Sequence, residues 1–337
     1  MNDNIGCKMK KVAIAGCGLV SQYGNEGSIL LERLMEKRTA GPIHNEWLSY
    51  EDTKHPFRWI NPCSKIGLQA VYQTGLTPAG QHGCNWGVYC ATAYGGTPFT
   101  QKNICDAYIR EGHYGITLAH TTHSGDPFTA EAVASLYQLS GRNKTFVNGY
   151  ISSSVAFWDA YQDLIYGEME HAVLIGNEYV EDSLINGYKA MLQDPVLLHS
   201  GGGALLLHAV SKLPEKPDKL VWIKECEYMS WTERKEQSTL EKVCHVLRRA
   251  RCSLQEIDYI LLTGPGCCLQ TLEEGAVQTT RPANLFRVNL SFGDMIGANA
   301  VFSLGLAYEL LIHNLGRTVL LLELDTRGNM GVAVITA

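Results

Sequence analysis

The residues best placed for chemistry lie between Lys144 and Glu178, where the chain reads as a strand, an abrupt turn and a helix. Lys144–Asn148 predicts the strand, Gly149-Tyr150 the turn, and Ser152–Tyr166 a helix opened by three serines. A second strand follows over Ala172–Gly176. Such a turn presents one side chain at a helix N-terminus, where unpaired N–H groups and the positive dipole end stabilise an anion. Thiolate nucleophiles are favoured there because their pKa falls. Here the side chain is Tyr150, whose phenol ordinarily titrates near ~10. The layout of a nucleophile site is present and the nucleophile is not.

Other reactive residues carry weaker patterns. Ser152, Ser153 and Ser154 offer hydroxyls, but no Gly-x-Ser-x-Gly elbow surrounds them, so their expected role is to cap the helix. His120 and His123 are spaced like a metal pair, yet no carboxylate or thiol ligand pattern accompanies them, and no metal is expected. Cys267-Cys268 follows a Gly-Pro-Gly turn and reads as packing or surface thiol. Gly16-Cys17-Gly18 suggests a dinucleotide loop, but the third glycine and the later acidic residue are missing; no cofactor is expected.

The rest of the chain must position these residues. Its 337 residues are 45% hydrophobic and 18% charged, which suits a large globular core. A net charge of −6 and the lack of a basic block beyond Lys8–Lys11 argue against a nucleic-acid partner. The 11 scattered cysteines fit reduced thiols in the cytoplasm better than a disulfide framework. The apolar run between Lys11 and Cys17 is too short for a signal peptide, and no stretch approaches the ~20 apolar residues of a membrane span.

Apolar runs predict strands at Lys11–Gly16, Gly87–Ala91, Lys144–Asn148, Ala172–Gly176 and Ala204–Val210. Five more are expected at Val221–Tyr228, Tyr259–Leu262, Leu285–Val288, Val319–Leu324 and Gly331–Thr336. Helices are expected at Gly27–Lys37, Pro62–Thr74, Pro98–Glu111, Pro127–Leu139, Ser152–Tyr166, Ser238–Arg251 and Ala298–Asn314. Alternation of strand and helix predicts an α/β fold with parallel crossovers. A polar stretch with two prolines, Ser211–Lys219, marks a hinge between residues 1–210 and 211–337.

Five segments, in order, resemble the β-ketoacyl synthases of the thiolase superfamily. Lys11–Asn25 is similar to the family's opening strand and turn, Ser64–Leu76 to its Gly-Leu-ended helix, and Gly87–Gly96 to the strand leading into the acyl tunnel. Ile257–Gly266 and Asn289–Leu304 stand where the two catalytic histidine segments occur. The resemblance implies a thiolase-like fold, two duplicated α/β halves in five αβαβα layers. Aligned without gaps from Tyr137 to Gly176, the family's cysteine falls on Tyr150.

Condensation requires a thiolate to hold the acyl chain and two imidazoles to stabilise enolate and oxyanion. By the same resemblance, Thr263 and Asp294 stand for the histidines, Asn289 for a nearby lysine, and Leu324–Gly331 for the glycine-rich gate loop. Every catalytic part is replaced. The chain therefore looks like a chain length factor, the subunit that pairs with an active ketosynthase in type II polyketide systems. That resemblance implies a heterodimer without intrinsic activity, an acyl carrier protein, and a polyketide chain in a tunnel bordered by Tyr94, Thr97, Gln101, Thr121 and Thr122. Two alternatives stay open: an acyltransferase or malonyl decarboxylase using Ser152 or Asn289 and Thr263, and a stand-alone acyl-binding scaffold.

Overall fold

The computed structural model describes residues 9–43, 60–77, 83–117, 125–191, 197–210, 220–230, 236–265 and 284–337. Five strands come from the first part of the chain: β1 (Lys11–Ser21), β2 (Trp86–Ala91), β3 (Asn143–Phe146), β4 (His171–Glu178) and β5 (Gly201–Val210). Five follow: β6 (Val221–Ser230), β7 (Tyr259–Thr263), β8 (Leu285–Arg287), β9 (Thr318–Leu324) and β10 (Asn329–Thr336). The helices are α1 (Gly27–Met35), α2 (Pro62–Gln73), α3 (Thr97–Glu111), α4 (Phe128–Tyr137), α5 (Ser152–Ile165), α6 (Asp182–Met191), α7 (Glu236–Arg249), α8 (Val288–Phe292) and α9 (Asn299–Ile312).

All ten strands fall where the apolar runs predict them, with ends shifted by a few residues. The sheet order is β3-β2-β4-β5-β1-β6-β10-β9-β7-β8, which repeats one five-strand pattern about the β1–β6 junction. The pairings repeat too. β2 runs parallel to β3 and β4, while β4/β5 and β5/β1 are antiparallel. β7 likewise runs parallel to β8 and β9, while β9/β10 and β10/β6 are antiparallel. Parallel crossovers thus account for half of each unit only. The other half is antiparallel, and the apolar runs of β4, β5, β9 and β10 carry no trace of it because both faces are covered.

Three apolar clusters account for five layers. The largest lies between the two halves, where α5 and α9 pack on each other and on strands from both. A second cluster joins α2 and α4 to the outer face of the first half, and a third joins α7 to the outer face of the second. The contact between α2 and β1 is close: a Cβ at Gly18 would lie 2.0 Å from the Ala70 carbonyl. α2 itself starts on an Asn61 cap, whose side chain accepts from the Ser64 N–H at 2.8 Å, with Pro62 in its first turn.

The sequence reading lacks α6 and α8. Gly187 interrupts the α6 pattern, and only one side of that helix, Leu184, Ile185 and Tyr188, packs on the interior. The hinge at Ser211–Lys219, the pair His120/His123, Thr121, Thr122, and Cys267-Cys268 lie outside the described residues. Among the described residues, eight cysteines are free thiols, no cluster of three or more His, Cys, Asp or Glu could hold a metal, and no helix is long and apolar enough to cross a membrane.

Candidate functional site

β3 ends at Phe146 and the chain turns sharply at Gly149, whose φ of +70° favours glycine. Residues Gly149–Ile151 form a single 3-10 turn that leads directly into α5. The predicted strand–turn–helix is therefore present, with Tyr150 at its apex.

The Tyr150 ring packs against Val180, Leu198 and Ile296. Tyr188 of α6 meets it edge-on at 6.2 Å and meets Tyr94 edge-on at 6.3 Å. The Tyr94 and Tyr188 hydroxyls are 3.2 Å apart. Three tyrosines thus run from the surface, where Tyr94 is 36% exposed, to the buried end of Tyr150. Burial, then the neighbouring Asp294 carboxylate, then Tyr188 push the Tyr150 phenol far above its ordinary range. Its hydroxyl meets no partner at hydrogen-bond geometry, nor does Asp294 Oδ2 beside it. A group so placed stays protonated and cannot attack a thioester.

Asp294 is 1% exposed. Its Oδ1 accepts from the Ile296 N–H and from Asn299 Nδ2, each at 2.8 Å. Burial still raises its pKa. The turn it holds is strained, because Ile296 is β-branched and sits at φ +45°. Thr263, at the end of β7, is fully buried and donates to Asn289 Oδ1 at 2.7 Å. The Gly264 N–H donates to the same oxygen at 3.3 Å, which fixes the amide and leaves Asn289 Nδ2 without a partner. Tyr150 and Asn289 both neighbour Asp294, so the fold brings these three together, with Thr263 reached through Asn289.

The three serines do not cap α5. The N-cap position is Ile151, and no side chain caps it. Ser152 Oγ donates to the Gly149 carbonyl at 2.7 Å and accepts from the Asn148 N–H at 2.8 Å, bracing the turn. Ser153 donates to the Gly297 carbonyl, and Ser154 to Glu323 Oε2 at 2.5 Å. Tertiary partners take Ser153 and Ser154, and the turn itself takes Ser152, so none is left for capping. Ser152 is buried with its hydroxyl committed, and among the described residues no imidazole hydrogen-bonds it. His199, whose backbone N–H donates to the Asp294 carbonyl, directs its ring Nε2 to the Gly41 carbonyl at 2.9 Å.

Two buried glutamates complete the surroundings. Glu178 at the end of β4 accepts from the N–H groups of Ala93 (2.7 Å) and Tyr94 (3.0 Å), and from Gly297. It ties the Tyr94 loop to the Ile296 turn. Burial pushes both Glu178 and Glu323 up to about 8. The loop expected to stand for the gate is a tight hairpin instead. Asp325 Oδ1 accepts from the N–H groups of Arg327 and Asn329, both at 2.8 Å, and closes it.

Of the other expected residues, Tyr94 lies before α3 and not on it, because Gly95-Gly96 separates them. Thr97 opens α3 and donates to Asp126 Oδ1 at 3.2 Å, and Gln101 is exposed one turn later. Tyr188, Asn299 and Glu323 escaped the sequence reading. A single acid inside the apolar run of β9 was the one available signal, since a lone charge in a buried strand demands a partner.

No family model and no curated protein matches this sequence. Solved structures match over nearly its whole length. A ketosynthase/chain length factor for ishigamide aligns with a TM-score of 0.76 at 16% identity, covering 97% of this chain and 99% of that one. A type II polyketide synthase acyl-carrier protein in complex with its ketosynthase bound to the hexaketide gives 0.79 at 14%, covering 98% and 99%. A ketosynthase in complex with its chain length factor from Xenorhabdus doucetiae gives 0.75 at 15%, covering 97% and 98%. The chain has the ketosynthase fold. Within that fold the apex of the β3–α5 turn carries Tyr150, and Asp294, Asn289 and Thr263 gather beside it.

Proposed function

We propose that this chain is the non-catalytic chain length factor of a type II polyketide synthase. It pairs with an active ketosynthase, walls part of the tunnel that receives the growing chain, and sets the length of the poly-β-ketone or polyene. The carrier protein delivers substrate to the complex.

One observation carries the reading: the apex of the β3–α5 turn, by resemblance the nucleophile's place, holds the phenol Tyr150 beside the buried Asp294. Acyl transfer and decarboxylation are both disfavoured there. Ser152 meets no base among the described residues, Thr263 is spent on Asn289, and a malonyl carboxylate would approach Asp294 against its charge. The surface supports pairing. β3 is an edge strand that pairs only with β2 among the described residues, and Val147 just beyond it is exposed. Tyr108, Ile109 and Tyr114, on and after α3, also present apolar surface. Tyr94, Thr97 and Gln101 are the described residues we assign to the tunnel.

Co-expression tests this. The chain should co-purify one-to-one with a ketosynthase that retains cysteine and both histidines, and products should form only when both are present. Acylation of this chain by malonyl carrier protein in the absence of a partner overturns the proposal.

A further inference from the structure

A second concave region lies at the other end of α5, which at 14 residues and ~1.5 Å per residue places it about 20 Å from Tyr150. This groove, of about 680 Å³, is lined by Lys10, Lys11, Trp222, Lys224, Arg249 and Arg251 among others. Its volume falls in the ordinary small-molecule range of ~300–1,000 Å³. Five cations around one groove stand out in a chain whose net charge is −6.

The two acids in the lining are already engaged. Glu225 Oε2 accepts from Arg249 Nε at 3.1 Å, and Glu256 accepts from the Ser253 N–H at 2.6 Å and its hydroxyl at 2.9 Å. Among the described residues, no ion pair engages Lys10, Lys11, Lys224 or Arg251. Like charges converging on a concave surface focus a field that favours anions. The groove wall also holds Thr336, whose buried hydroxyl has no partner. Trp222 is half-buried, with Lys11 Nζ 6.0 Å from its ring centroid, so an anion drawn to Lys11 brings any attached ring to the indole.

We propose that this groove binds a phosphate-bearing small molecule of the nucleotide class. Lys10, Lys11, Lys224 and Arg251 take the phosphates, and Trp222 takes the flat ring. The inference stands apart from the chain-length reading, because it uses none of the same residues.

Calorimetry and thermal-shift measurements on the full chain, free or in its complex, test it with ATP and inorganic tripolyphosphate as probes. ATP is expected to bind at sub-millimolar concentration, tripolyphosphate more weakly, and both less well as salt rises. Lys11→Glu/Lys224→Glu should reduce ATP affinity at least tenfold. Both side chains are exposed, so an unchanged circular-dichroism melt serves as the folding control. Trp222→Ala should weaken ATP while leaving tripolyphosphate unchanged. Failure of ATP to bind, or unchanged affinity in the charge-reversal variant, overturns the proposal. Equal affinity for the two probes, unaffected by Trp222→Ala, overturns the nucleotide assignment.

Discussion

Asp294 and Tyr150 are neighbours in a buried place, and burial first, then the carboxylate, raises the phenol's pKa. On the proposed reading, this pair turns a nucleophile's position into a wall. Restoring the nucleophile alone should not restore chemistry. In Tyr150→Cys the new thiol would sit buried beside the same carboxylate, conditions that raise a thiol pKa. We expect negligible iodoacetamide labelling at pH 7.5 and no condensation, as read by mass spectrometry. Stable acylation of that variant would sink the argument.

Tyr94 links the solvent to this wall through the Tyr188 hydroxyl. In the reconstituted complex, Tyr94→Ala should give longer or mixed-length products with the heterodimer intact. Tyr188→Phe removes only one partly exposed hydrogen bond, so stability should change by under about 1 kcal/mol. Product profiling beside gel filtration checks both. Unaltered lengths in an intact complex would remove Tyr94 from the tunnel.

Glu323 makes stability depend on pH. Its folded pKa is about 8, above the ordinary 4.5, so the folded state holds a proton that the unfolded state has lost between those values. Stability is full below about pH 4.5 and falls as pH rises through about 8. Glu178 contributes with the same sign. Glu323→Gln should therefore melt higher than the parent at pH 8.5, less so at pH 6, and close to it near pH 4.5. Parallel melting curves for the two proteins across that range would contradict the assignment.

Gly331 admits no side chain. A Cβ there would lie 2.0 Å from Ser154 Oγ and 2.4 Å from its Cβ, on a helix that cannot retreat. Gly331→Ala should cost about 1–3 kcal/mol, the usual range for overpacking. Ser154→Ala in the same chain removes the Oγ contact but leaves the Cβ at 2.4 Å, so it should recover little of that loss, measured by denaturant melts.

Much of this was legible before any coordinates. The apolar runs marked strands such as β4, β5, β9 and β10, which are covered on both faces and apolar along most of their length. Gly149-Tyr150 marked the apex, because the turn needs a positive φ. What stayed hidden depends on distant partners. The serines resembled caps until Gly297 and Glu323 were found opposite them. Tyr188 sits on a helix broken in pattern by Gly187, and only the folded chain brings it to Tyr94. Strand direction in β5 and β10 was illegible for a simpler reason, since a strand buried on both faces reads the same in either orientation.

The bare flank of β3 has a consequence for how the cell must handle this polypeptide. Among the described residues the outer ladder of β3 pairs with no strand, and beside exposed Val147 such an edge invites adhesion to other extended segments. On the proposed pairing, copies made in excess of their mate would be lost to aggregates or proteases. Matched dosage, as from adjacent reading frames translated together, is then a requirement imposed by a single short strand.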